Sequence, residues 1–119
     1  MFYMNNTPYE EAEQETFVQW LEFKGLRFTA IPNSTFTKSW KQKALNKKMG
    51  VRRGLPDLVI IHDGLMVWIE LKRVKGGVLA PHQKEWIDAI NTVPNCQAYV
   101  CRGANEAIET VCRIFKLKP

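Results

Sequence analysis

The stretch Gly54-Leu55-Pro56-Asp57-Leu58-Val59-Ile60-Ile61-His62-Asp63-Gly64-Leu65-Met66-Val67-Trp68-Ile69-Glu70-Leu71-Lys72 decides the fold. Two apolar runs flank Asp63-Gly64, a pair suited to the two positive-φ positions of a type I′ turn, so the stretch reads as a β-hairpin. With His62 facing Leu65, counting outward sets Asp57 opposite Glu70. Side chains alternate along a strand, so Lys72 shares the face of Glu70, and two carboxylates and an ammonium converge at one end of the sheet. Carboxylates that face each other in a partly buried place repel, and a bound cation relieves the repulsion. That end is therefore a candidate divalent-metal site. A plain ion pair between Glu70 and Lys72 is the simpler reading, but it leaves Asp57 unexplained.

Away from its charged end the hairpin is apolar on both faces. Val59, Ile61, Met66 and Trp68 fall on one, and Leu58, Ile60, Leu65, Val67, Ile69 and Leu71 on the other. A sheet dry on both faces needs cover on both, which predicts a three-layer α/β/α sandwich around a mixed sheet. The flanking segments supply the helices. Thr7-Pro8 opens a helix over about 9–24, with Thr7 as N-cap and Gly25 at its end. Residues 26–31 read as a strand closed by Pro32-Asn33, and 37–49 as a helix or ordered loop closed by Gly50. After a flexible break at Gly76-Gly77, Pro81 starts a helix to about Val93. Residues 97–101 form a strand, and 104–116 a last helix with Ala107, Ile108, Val111, Cys112 and Phe115 at apolar spacing. No linker or repeat interrupts the order, so residues 1–119 are expected to form one domain.

With 45% hydrophobic and 24% charged residues, the chain can build a real core. No apolar run is long enough to span a bilayer, and the start lacks the basic and apolar regions of a signal peptide. An intracellular protein is expected, without a membrane role. Cys96, Cys101 and Cys112 are odd in number and form no Cys-x-x-Cys pair, so they read as free thiols. The net charge of +5 is local: Lys38, Lys41, Lys43, Lys47, Lys48, Arg52 and Arg53 lie in a segment with no acidic residue, leaving the remainder at −2. Such a patch suits a phosphate backbone, the alternative being a solvated helix face. Trp40, within it, suits either stacking on a base or burial against the sheet. Trp20, Trp68 and Trp86 read as packing residues. His62 and His82 have no partner at metal-ligand spacing.

The ordered motifs resemble the VRR-NUC branch of the PD-(D/E)xK nuclease superfamily. They are Glu10-x-x-x-Gln14, Pro32-Asn33, Gly50-Val51-x-x-Gly54-Leu55-Pro56-Asp57, Ile69-Glu70-Leu71-Lys72 and Gly77-x-Leu79-Ala80-Pro81-x-Gln83. Ala80 departs from the family's usual serine, which removes a helix cap and no expected ligand. The resemblance implies a metal-dependent DNA endonuclease in which Asp57, Glu70, the Leu71 carbonyl and a helix glutamate ligate magnesium or manganese (Mg2+ or Mn2+). Lys72 would orient the attacking water and stabilise charge on the transition state, and Gln83 would stand near the active centre. Small standalone members are linked to resolving four-way (Holliday) junctions as homodimers, and larger ones to flaps and DNA repair; a restriction-like nuclease is a third reading, and a silent DNA-binding module the non-enzyme alternative.

The helix glutamate is left to choose. Roughly 100° per residue puts Glu10, Gln14, Phe17, Val18 and Leu21 on one stripe, with Glu10 and Gln14 near its centre and Glu13 about 60° off. Glu10 is the better candidate and Glu13 the runner-up. Acidic residues in a first turn also suit the helix dipole without any site.

Overall fold

The structure, a computed structural model, describes residues 8–32 and 38–119. Thr7 and Asn33, expected as cap and turn, lie outside them. The elements run α1 (Pro8–Phe23), β1 (Arg27–Ala30), α2 (Trp40–Lys48), β2 (Leu58–His62), β3 (Leu65–Lys72), α3 (Pro81–Ile90), β4 (Cys96–Arg102) and α4 (Ala104–Phe115). The sheet order is β1-β2-β3-β4, antiparallel except for the parallel β3–β4 pair joined through α3.

The hairpin forms as its residues demand. Asp63 and Gly64 take φ of 51° and 78°, and His62 pairs with Leu65. The turn thus fixes the register, and the register sorts the side chains. Leu58, Ile60, Val67, Ile69 and Leu71 turn to one face, where Phe17 and Leu21 of α1 and Ala107, Val111 and Phe115 of α4 close the main core. Met66, Trp68, Glu70 and Lys72 turn to the other. There Ile87 and Ile90 of α3 pack with Trp68 and Ala98, completing three layers.

Cover on this second face is less complete than expected. α3 stops at Ile90 rather than near Val93, because residues 91–95 turn back into β4, and Ile61 stays 47% exposed at the uncovered end. The open edge of β4 is partly plugged. Asn91 accepts from the Ala98 N–H at 2.9 Å and donates to the Ala98 carbonyl at 3.2 Å. Trp20 stacks on Phe17, with ring centroids 6.3 Å apart, as a packing residue should. The three cysteines are free, Cys101 and Cys112 being buried; burial pushes the Cys101 thiol up to about 11.

Candidate active site

Asp57 stands one residue before β2, where Pro56 is fully buried and the Asp57 carbonyl accepts from Ile31 N–H at 2.8 Å. Its carboxylate does not merely face Glu70 across the sheet: Oδ2 accepts the Leu71 backbone N–H at 2.8 Å. Glu70 and Lys72, only 3% and 8% exposed, lie on the α3 side of β3. Lys72 Nζ lies 3.4 Å from Glu70 Oε2 and donates to Gln83 Oε1 at 3.0 Å. Gln83 Nε2 in turn donates to Glu70 Oε2 at 3.1 Å, closing a three-membered ring of side chains. Gln83 Oε1 also accepts the Ala80 N–H at 2.9 Å. That bond is half of a capping box, and alanine has no oxygen to supply the other half.

The corner holds more negative charge than its neighbours compensate. Burial, opposed by the Leu71 N–H and by Lys72 and reinforced by Glu10, pushes Asp57 up to about 6. Burial and then the charge of Asp57 push Glu70 up to about 8, against the pull of Lys72. Glu70 Oε1 is buried with no hydrogen-bond partner. An orphaned carboxylate oxygen beside a second carboxylate is what a hard cation satisfies. Among the described residues no three His, Cys, Asp or Glu side chains gather closely enough to cage an ion unaided. Magnesium does not require that, since it is commonly held by one or two carboxylates and keeps several waters. The residues present therefore fit Mg2+ or Mn2+ with an incomplete protein shell.

The two helix glutamates separate. Glu13 Oε1 accepts the Ala104 N–H at 2.6 Å, capping α4 from another element. Gly103, the N-cap of α4, has φ 89° and no side chain to do so; a Cβ there would come within 3.0 Å of Glu13 Oε1. Glu10 instead sits where its charge raises both Asp57 and Glu70, while Glu11 and Glu15 are exposed. The α4 cap escaped sequence reasoning. Its signal was a helix starting directly after glycine without Ser, Thr, Asp or Asn.

The basic segment divides in two. Ser39 caps α2 by accepting from Gln42 N–H at 3.1 Å, and α2 buries none of its residues. Lys38, Lys41, Lys43, Lys47 and Lys48 are all exposed. Trp40 is 81% exposed with the Lys43 ammonium 4.8 Å from its ring centroid, so burial against the sheet is not its fate. Arg52 and Arg53 leave the lysines and lie against α3, where Trp86 Nε1 donates to the Arg53 carbonyl at 3.0 Å. His62 packs edge-on against Phe115 at 5.1 Å. Two arginines that the sequence reading passed over flank Lys72: Arg73 follows it in the chain, and Arg102, its partner across β4, donates to the Arg73 carbonyl at 3.3 Å.

Comparison with known proteins bears on the fold and the family. No curated protein matches the sequence. Solved structures that resemble the fold include a VRR_NUC domain protein (23% identity, 94% of this chain and 92% of the other, TM-score 0.73) and a VRR_NUC domain (17% identity, 88% and 96%, TM-score 0.63). At these identities the likeness shows the fold. The sequence profile of the VRR-NUC domain matches residues 3–105, most of the chain. With its hairpin, crossover helix and sheet order in place, the chain belongs to the VRR-NUC family of nuclease-type domains.

Proposed function

We propose that this protein is a metal-dependent DNA endonuclease that hydrolyses phosphodiester bonds, with four-way junctions as its substrate and a homodimer as its working form. One observation carries the reading: the buried corner where Asp57 and Glu70 are both pushed toward protonation and Glu70 Oε1 has no hydrogen-bond partner, beside the fixed Lys72 ammonium. A corner of that kind is costly unless it binds a cation, and it is of little use to a protein that only grips DNA.

Asp57 and Glu70, with the Leu71 peptide and Glu10 beside them, would hold magnesium or manganese. When bound, the ion supplies Lewis acidity toward the phosphate and makes a coordinated water more acidic. Lys72, its Nζ fixed by Gln83 and Glu70, orients the attacking water and offsets charge developing on the phosphate oxygens. Gln83 acts by positioning, since its amide spaces Lys72 from Glu70 and ties both to the start of α3. The exposed lysines of α2, with Arg52 and Arg53, grip the phosphodiester backbone. Cutting two strands of a junction symmetrically requires two such corners, which C2 pairing provides most simply.

A cleavage panel of four-way junction, flap, nicked duplex and linear DNA, each with and without magnesium and manganese, tests the reading. Paired metal-dependent incisions in the junction by a dimer are expected. Preferential flap cutting by a monomer replaces the junction reading with a repair nuclease, and tight binding without any cleavage reduces the protein to a DNA-binding module.

A further inference from the structure

Four side chains of α3 that do not face the sheet, His82, Glu85, Trp86 and Ala89, fall at i, i+3, i+4 and i+7 and so form one stripe. Together with Arg52 and Arg53 they line an open cleft of about 480 Å3 whose walls are mainly apolar. Its floor is fixed. Trp86 Nε1 donates to the Arg53 carbonyl, and Gly54, at φ 105°, lies so close to α3 that a Cβ would stand 2.7 Å from the His82 carbonyl oxygen and 2.8 Å from Trp86 Cδ1. The residues of the cleft also run close in the chain to those of the candidate active site. Gln83 of the Lys72–Glu70 ring follows His82, and Asp57 lies three residues beyond Gly54. Trp86 is about 4.5 Å further along the helix axis than Gln83, against about 3.4 Å per nucleotide along one strand of a duplex.

We propose that this cleft holds one unpaired nucleobase of the DNA strand next to the scissile phosphate, stacked on Trp86, with Arg52 and Arg53 on the phosphates either side of it. The inference rests on the reading of the chain as a DNA nuclease and adds how it selects branched DNA: a four-way junction fills the cleft by giving up one pair beside its branch point, and a branch that already carries an unpaired base fills it at no such cost. A flat aromatic wall between cations suits a base that has left its helix, since every base offers a π-face and its phosphates bring the charge. A fully paired duplex keeps its bases stacked and has nothing to place there. Glu85, the one carboxylate among the described residues of the lining, accepts from an exocyclic amino group, which favours cytosine, adenine or guanine over thymine.

The test measures binding in chelator, where no cleavage occurs, with the full chain. One DNA carries a single unpaired 2-aminopurine beside a branch point, and the other is the fully paired duplex of equal length. The wild type is expected to bind the branched DNA roughly tenfold more tightly and to quench the 2-aminopurine as it stacks. Ala89→Leu, which fills the exposed end of the cleft without altering charge, should abolish both effects and leave duplex affinity unchanged. Trp86→Leu should do the same to the quenching, with circular dichroism confirming that it folds. No preference in the wild type, or a preference that survives Ala89→Leu, overturns the proposal. A wild type that shows the preference and the quenching yet cuts no DNA with magnesium retains the cleft and removes the nuclease reading.

Discussion

The hairpin end and the basic helix are both rich in charge, yet they are held in opposite ways. Glu70 and Lys72 are almost fully buried, tied into a ring with Gln83, on a strand whose other face is the main core. α2 buries nothing, and its lysines are kept in place only by a capped single helix. Geometry is specified where chemistry needs a fixed distance. Charge density alone is specified on α2, which suits the DNA backbone proposed as its ligand, since phosphate contacts position DNA without demanding one arrangement.

The sharpest way to break this contrast is Lys72→Ala. Cleavage should fall about 10^3-fold while binding in chelator is retained, because one fixed charge at the reacting centre is lost and the grip is untouched. Cleavage within tenfold of wild type would remove Lys72 from the chemistry.

Glu70→Gln probes the cost of the buried corner. The folded protein holds the Glu70 proton up to about 8 against an ordinary 4.5, and that of Asp57 up to about 6 against 3.8. A carboxyl that binds its proton more tightly when folded contributes stability that is present at low pH. That stability is lost as pH rises from the unfolded pKa through the folded one. In chelator the variant should therefore melt increasingly above the wild type between about pH 5 and pH 9, by several degrees at the upper end. Added magnesium should narrow the gap. A gap that does not grow with pH would mean that the corner carries no such strain.

The smallest structural effect should come from α2. Changing Lys41, Lys43, Lys47 and Lys48 together to glutamine should lower the slope of log affinity against log salt by up to about 3.6 on duplex DNA. The melting temperature should stay within about 2 °C, since none of the four is buried. An unchanged slope would take the helix out of the DNA interface.

What the sequence revealed follows the same division. The hairpin, its turn and the sorting of its faces were legible because alternation and Asp-Gly are local signals, and the two faces proved to belong to different layers. The Asp57–Leu71 bond was not, since counting pairs along a ladder says nothing of a side chain that bonds the backbone beyond it. Nor was the fate of Glu13. A helix wheel ranks positions on one helix, whereas the acceptor for the Ala104 N–H is chosen by how α1 meets α4. The bridging by Gln83 depends likewise on the crossover that returns α3 over β3, a long-range fact that no window of sequence contains.

The Asp63-Gly64 turn lies at the far end of the hairpin from Glu70, about 20 Å away at the rise of a strand. Because side chains alternate, a slip of β3 against β2 by one residue would send Glu70 and Lys72 into the main core and turn Leu71 toward α3. A two-residue turn remote from Asp57, Glu70 and Lys72 thus helps to decide on which face of the sheet the corner opens. An insertion that the loop absorbs leaves the corner intact, whereas one that slips β3 by a single residue dismantles it with all of its side chains still present in the chain.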